Sequence, residues 1–132
     1  MRFLTPIRIT DGTQADGRLL TSDANGQAVW KPLVWAMSSS LRYKSEVVDY
    51  QPGIVDLLKL RPVQYRSNLD GLVHAGLIAE EVHASGLTEF VAYNDAGQPD
   101  ALRYPQMVAL LINAVRDQQV MINNLMARLD AT

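Results

Sequence analysis

The chain of 132 residues contains no cysteine, which excludes disulfide bonds and thiolate metal sites. Only two histidines could offer an imidazole ligand, His74 and His83, and they are well separated along the chain. No cluster of carboxylates stands beside them at the spacing that a metal site needs. We therefore expect no metal ion and no other cofactor. The lack of cysteine is typical of a protein made in a reducing cytoplasm.

A strong charge of one sign is also lacking, because 12 lysines and arginines stand against 14 aspartates and glutamates. This balance gives no electrostatic reason for binding nucleic acid or an anionic membrane surface. The N-terminal residues lack the long apolar run of a signal peptide, and no stretch approaches the length of a membrane span. The sequence thus predicts neither nucleic acid nor a membrane as a partner.

The first part of the chain has the pattern of short strands and turns. Pro32 argues against a central strand, because proline cannot donate a hydrogen bond to a sheet. Three short strands cannot enclose a core, so we predict that residues 1–37 form a β-rich stub that needs other structure beside it. The strand-like runs are Ile7 to Thr10, Arg18 to Thr21 and Gln27 to Trp35.

Residues 38–132 mix helical and strand-like patterns, and we expect an α+β fold with a small mixed α/β head. A short helix is predicted from about Ile54 to Leu60, between Pro52-Gly53 and Arg61-Pro62. Turn residues then separate further short elements. These are strands around Val63 to Tyr65 and Leu72 to Ile78, a helix from Ala79 to Ala84 closed by Gly86, and a strand from Glu89 to Tyr93.

The longest predicted element is a helix over about 104–130. No glycine occurs from Tyr104 to Leu129, and Pro105 stands where a first helical turn tolerates proline. Seven residues, all apolar except Gln118, recur at alternating spacings of three and four, which is the heptad pattern of a coiled coil. We call these residues the seam: Val108, Leu111, Val115, Gln118, Ile122, Leu125 and Leu129.

The seam predicts that this helix packs against partner helices, and a helix packed only on its own domain is the alternative. Association between chains is favoured because the pattern continues to the last residues, and Ala131-Thr132 leave nothing to fold back over it. Gln118 is expected to set the register, because a buried amide must find hydrogen-bond partners. The spacing itself does not decide between two strands and three.

Ser39 and Lys44 are the only pair that we predict to carry chemistry. A serine hydroxyl becomes a good nucleophile when a base removes its proton, and a lysine can be that base in its neutral form. Residues five apart diverge on a regular helix, so the two side chains meet only if Ser39 precedes the helix in an extended or capping stretch. The alternative is a serine that caps a helix and a lysine in solvent.

Several motifs then follow in order along the chain. The segment SSSLRYKSEV resembles a Ser-Asp-x-Arg-Leu-Lys signature, with Ser39, Arg42 and Lys44 in register. A helix followed by Leu-x-Pro-Val-x-Tyr is similar to the segment IVDLLKLRPVQYR. The block Gly-Phe-Ile-Ala-Gln-Glu-Val is similar to HAGLIAEEV. A closing tyrosine before a long helix is similar to ALRYPQMVALLINAV. Together they resemble the endosialidase-type intramolecular chaperone at the C-terminus of phage tail spikes and tail fibres. GRLLTSDANGQAVWK is similar to segments found upstream of that domain.

The resemblance implies a homotrimer that brings the upstream β-structure of the same chain into register. It also implies self-cleavage between Ser38 and Ser39, in which Ser39 attacks the carbonyl of Ser38 and Lys44 is the general base. Arg42 and Glu81 would support the site.

The predicted domain boundary falls between residues 37 and 38. The parent protein would be made in the host cytoplasm and end on a virion tail fibre or a bacterial surface, and the released domain would be soluble.

The chain departs from the family pattern at three positions: Ser40 replaces Asp, Tyr43 replaces Leu and Glu80 replaces Gln. Ser40 favours the alternative function, a trimerisation cap that is never cleaved and stays attached to a fibre or bacterial surface protein. An independent receptor-binding tip is a third possibility, supported only by the loops near Asn68 to Gly71 and Asn94 to Asp100.

Overall fold

The computed structural model describes residues 6–32 and 39–132. Contacts divide the chain into two compact units, which meet in sequence between Val47 and Val48. The boundary predicted from the sequence lies ten residues earlier, between residues 37 and 38. Short antiparallel strand pairs and a C-terminal helical stretch of 27 residues give mixed α and β content, so the predicted α+β class is confirmed.

The first unit contains one β-hairpin. Strand β1 (Arg18–Ser22) pairs antiparallel with β2 (Ala28–Pro32), and Leu20 lies opposite Trp30. The Asp23 carboxylate closes the turn by accepting hydrogen bonds from the backbone N–H groups of Asn25 and Gln27, at 2.8 and 2.9 Å. None of the described residues of this unit is buried, as expected for a stub without its own core.

The predicted strand from Ile7 to Thr10 is wrong, because the structure has no regular element there. The segment has no ladder partner among the described residues. It is held instead by the Trp30 indole, whose Nε1 donates to the backbone oxygen of Ile9 at 3.0 Å. The third predicted run is a strand only as far as Pro32, and residues 33–35 lie outside the described residues.

The second unit contains three α-helices and four β-strands, together with 3-10 turns. In chain order they are α1 (Ile54–Leu57), β3 (Val63–Arg66), β4 (Val73–Gly76), α2 (Ala79–Ala84), β5 (Val91–Tyr93), β6 (Pro99–Leu102) and α3 (Val108–Asp130). Strands β3 and β4 form one antiparallel hairpin, and β5 and β6 form another. Helix α2 ends at Ala84 and is closed, as predicted, by Gly86, whose φ of +88° is the left-handed conformation that favours glycine.

The core of the second unit is small and lies between α1, α2, the β5–β6 hairpin and the first half of α3. Its buried side chains are Val82, Leu87, Phe90, Val91, Met107 and Leu110. Tyr50 packs edge-on against Phe90, with the ring centroids 6.2 Å apart. Helix α3 contributes Leu110 and Ala114 to this core, so its inward face lies beside the seam and not on it.

Polar side chains of α3 hold the segment that leads into α1. Asn113 Nδ2 donates to the backbone oxygens of Tyr50 and Pro52, at 2.8 and 2.9 Å. Asp117 Oδ2 accepts from the backbone N–H of Ile54 at 2.9 Å. A carboxylate of α3 therefore caps helix α1, and this contact fixes the position of α3 against α1 in the second unit.

Candidate functional site

Ser39 and Lys44 are in direct contact within the first unit. Lys44 Nζ lies 2.8 Å from Ser39 Oγ and 2.8 Å from the Ser39 backbone oxygen. Ser39 and the extended Ser40 precede a 3-10 turn from Leu41 to Tyr43, and Lys44 returns to an extended conformation after it. This short turn brings together two side chains that a regular α-helix would separate. The predicted nucleophile and the predicted base are thus within hydrogen-bond reach of each other.

The alternative of a serine helix cap is not what the structure has at this turn. Ser40 occupies the N-cap position, but its side chain makes no capping hydrogen bond. The Ser39 hydroxyl is engaged by Lys44 instead. Both Ser39 and Lys44 are exposed to solvent in the single chain. Burial disfavours the charged form of a lysine, so a further surface that covered this pair would favour base chemistry there.

Arg42 and Ser39 are both among the described residues, and no hydrogen bond joins them. Its guanidinium lies over the ring of Tyr43, 5.0 Å from the centroid, and its Nη2 donates to the Tyr43 hydroxyl at 3.3 Å. Tyr43 thus gives Arg42 a stacking partner that leucine would not supply. Ser38, whose carbonyl is the predicted target of attack, lies outside the described residues.

Glu81 belongs to α2 in the second unit and binds Arg61. The Arg61 Nε donates to Glu81 Oε2 at 3.2 Å, and Nη2 donates to Oε1 in the same bidentate pair. Hydrogen bonding to Arg61 holds the pKa of Glu81 below its ordinary value. The structure therefore gives Glu81 a partner that links α2 to the segment after α1.

The seam lies on an exposed face of α3. Its six apolar residues are between 47% exposed, at Ile122, and 72% exposed, at Leu129. Gln118, the seventh seam residue, is also exposed. The buried residues of α3 are Leu110 and Ala114, so the second unit leaves all seven seam residues exposed. An apolar stripe of this length left in water is typical of a helix that packs against another chain.

Next to the seam, an open apolar groove of about 440 Å³ lies between α1 and the start of α3. Leu111 belongs both to the seam and to the wall of this groove. The groove is lined by Leu57, Leu58, Leu60, Pro62, Leu77, Met107, Leu110 and Leu111.

Both histidines have neighbours of their own. His74 Nε2 lies 2.8 Å from Asp70 Oδ2, and His83 Nδ1 lies 2.8 Å from the Tyr93 hydroxyl. Within residues 6–32 and 39–132, no group of three or more histidine, aspartate or glutamate side chains is placed to hold a metal ion. In the same ranges, no helix has both the length and the apolar character needed to cross a membrane.

Comparisons of the chain with models of protein families, with curated proteins and with solved structures give no match.

Two residues that organise the head were not identified from the sequence. Asn113 and Asp117 bind the backbone ahead of α1 through contacts more than 60 residues apart in sequence. The available signal was their spacing of four, which places two polar side chains on one helix face beside the seam. That spacing does not reveal which distant backbone groups they meet.

Proposed function

We propose that this chain is a C-terminal intramolecular chaperone that forms a homotrimer through the seam. In this proposal it brings the β-structure upstream of it into register and is then released by cleavage between Ser38 and Ser39. The observation that carries the proposal is the 2.8 Å contact between Lys44 Nζ and Ser39 Oγ, in a turn that matches the motif of the resemblance. The exposed seam supports the trimeric part.

The proposed reaction is hydrolysis of one peptide bond by the chain's own residues. Neutral Lys44 takes the proton of Ser39 Oγ as that oxygen bonds to the carbonyl carbon of Ser38. The bond from this carbon to the Ser39 nitrogen breaks, and the nitrogen takes the proton from Lys44, which leaves an ester. Water hydrolyses the ester, regenerating the Ser39 hydroxyl and a carboxylate on Ser38. No cofactor takes part.

A temporary trimer has a clear physical use for a β-fibre. Strands that pair between chains form slowly, because distant segments must meet before any contact stabilises them. Joining three chains at one end raises the effective concentration of the strands for one another. The hairpin of the first unit, whose described residues bury no core, is the kind of segment that gains from such help.

Assembly would also supply the cover that the Ser39–Lys44 pair lacks in the single chain. Lys44 is exposed there. We infer that cleavage follows trimer formation, because a surface that buries a lysine amine disfavours its charged form and so favours its action as a base.

A second candidate function is a trimerisation cap that remains attached. It is favoured by the exposure of Ser39 and Lys44 and by Ser40 at the position where the resembling signature has aspartate. In that case the contact between Lys44 and Ser39 only braces the 3-10 turn. The seam would act in the same way under both functions.

Intact mass under denaturing conditions, measured on freshly purified protein, tests the proposal. We expect the wild-type chain to yield a fragment that begins at Ser39, and Ser39→Ala and Lys44→Ala to remain whole. Ser40→Ala is the matched control, since it removes a neighbouring hydroxyl that makes no capping bond, and it should be cut. A wild-type chain that stays whole as a trimer would reject cleavage and support the attached cap.

A further inference from the structure

One polar residue interrupts the seam, within a part of α3 that carries no charge. Between Asp117 and Arg128 the helix contains only apolar residues and carboxamides. Gln118 is the first of these carboxamides and the only polar member of the seam. Val115 and Ile122 lie one turn away from it on either side, on the same face of the helix. A carboxamide at this position faces any helix that packs on the seam.

Gln118 differs from the glutamine beside it. Gln119 Nε2 donates to Asn123 Oδ1 at 2.9 Å, so its amide is bound along its own helix. In the part of the chain that the structure describes, the Gln118 side chain has no such partner and is exposed. Neighbouring helical residues point about 100° apart, so only Gln118 lies on the seam. The N–H groups and the carbonyl oxygen of Gln118 are therefore available to bind a group that packs against the seam.

We propose that three Gln118 carboxamides bind a small monovalent anion, such as chloride or bromide, on the threefold axis of the trimer. This inference rests on the proposed function, because it requires three parallel helices in register. A symmetric trimer brings the same residue of each chain to the axis, so the carboxamides form one layer. The apolar residues at Val115 and Ile122 would form layers above and below, closing the site to bulk water.

The hydrogen-bond capacity of the amides selects an anion. Each carboxamide has two N–H donors and one carbonyl oxygen. When each carbonyl accepts one bond from the next chain, one N–H of every amide is still unpaired. Buried donors need an acceptor, and an anion on the axis would accept from all three chains at once. A hard cation needs about six oxygen ligands, more than three carbonyls supply.

The test compares the thermal midpoint of the oligomer in sodium bromide and in sodium acetate at equal ionic strength, with Ser39→Ala in every protein so that the chain stays whole. We expect bromide to raise the midpoint of the oligomer that retains Gln118 by at least about 2 °C, since ligand binding to the assembled state stabilises it. Gln118→Leu should remove this difference. Gln119→Leu is the matched control and should keep it, because its amide does not lie on the seam. General salt effects act on both variants alike.

Crystals grown in sodium bromide give a direct readout. An anomalous bromide peak on the threefold axis at Gln118 is expected, and a water in that place would overturn the anion site. An equal bromide response in Gln118→Leu and Gln119→Leu would also overturn it. Sedimentation of each variant separates the two proposals. A trimer without an anion effect rejects only the anion site, and a monomer at every concentration rejects the trimer as well.

Discussion

Gly53 shows how one residue adapts to another far along the chain. Its φ of −140° lies outside the left-handed region, so backbone strain does not explain the glycine. A Cβ at this position would stand 2.2 Å from Asp117 Oδ2, the oxygen that accepts from Ile54 N–H. The absence of a side chain lets the capping carboxylate approach the start of α1. Close packing of this kind is decided by tertiary contacts and cannot be predicted from local sequence.

Gly53→Ala should therefore destabilise the head by about 1–2 kcal/mol, because the new methyl group displaces the capping carboxylate. Asp117→Ala should cost about 1 kcal/mol, the usual effect of losing a cap. In the double variant the methyl group meets no carboxylate, so the combined loss should be smaller than the sum of the two. Urea unfolding of the four proteins measures this. Additive losses would contradict the close approach.

Glu81 gives a prediction about acid stability. Hydrogen bonds from Arg61 lower the pKa of Glu81 from its ordinary value of 4.5 in the folded chain. A carboxyl group of this kind adds stability above its unfolded pKa, and that stability is lost as the pH falls through the folded pKa. Below about pH 4.5, Glu81→Gln should therefore lose less stability on acidification than the wild-type chain does.

Glu80→Gln is the matched control for this experiment, because Glu80 is exposed and makes no ion pair with any described residue. Thermal midpoints between neutral and acid pH, measured for the three proteins, give the comparison. The wild-type chain and Glu81→Gln should differ less in their loss of stability on acidification at high salt, because Arg61 and Glu81 are both partly exposed and salt screens such pairs. Equal acid responses of the two variants would rule out the linkage.

At the scale of elements, the sequence predicted best where turn residues and caps mark the boundaries. The hairpin around Asn68 to Gly71 and helix α2, which runs from Ala79 to Ala84 and is closed by Gly86, are both confirmed. Strand β6 was missed, because it begins with Pro99 and its four residues lack a clear alternation. The strand predicted from Ile7 to Thr10 failed for the opposite reason, since its alternation is not matched by a ladder partner.

The sequence predicted which face of α3 carries the seam. That this face packs against other copies of the chain is part of the proposed function. Ile122→Asp should abolish self-association, because a charge placed in an apolar seam cannot be buried without a partner. Val120→Asp is the matched control: Val120 is also β-branched and similarly exposed, at 58% against 47%, but it lies off the seam. Sedimentation velocity compares the two. Equal loss of association in both variants would show that the seam is not the contact.

At the scale of the whole molecule, the sequence predicted the class of fold and the contact between Ser39 and Lys44. It did so because the helix and strand patterns, and a serine and a lysine five residues apart, are local features of the chain. It could not supply the contacts that join distant segments, such as Asn113 with Tyr50 and Arg61 with Glu81. The division after Val47 also depends on such contacts. Long-range packing is what the pattern of one chain leaves open.

The most direct test of the proposed trimeric chaperone is the mass of the uncut chain in solution. Sedimentation equilibrium of Ser39→Ala over a wide range of concentrations keeps cleavage from changing the mass. We expect a species of three times the 14.6 kDa chain, which dissociates when Ile122→Asp is combined with Ser39→Ala. A mass of 14.6 kDa at every concentration would contradict it, because the seam would then have no partner in another copy of the chain.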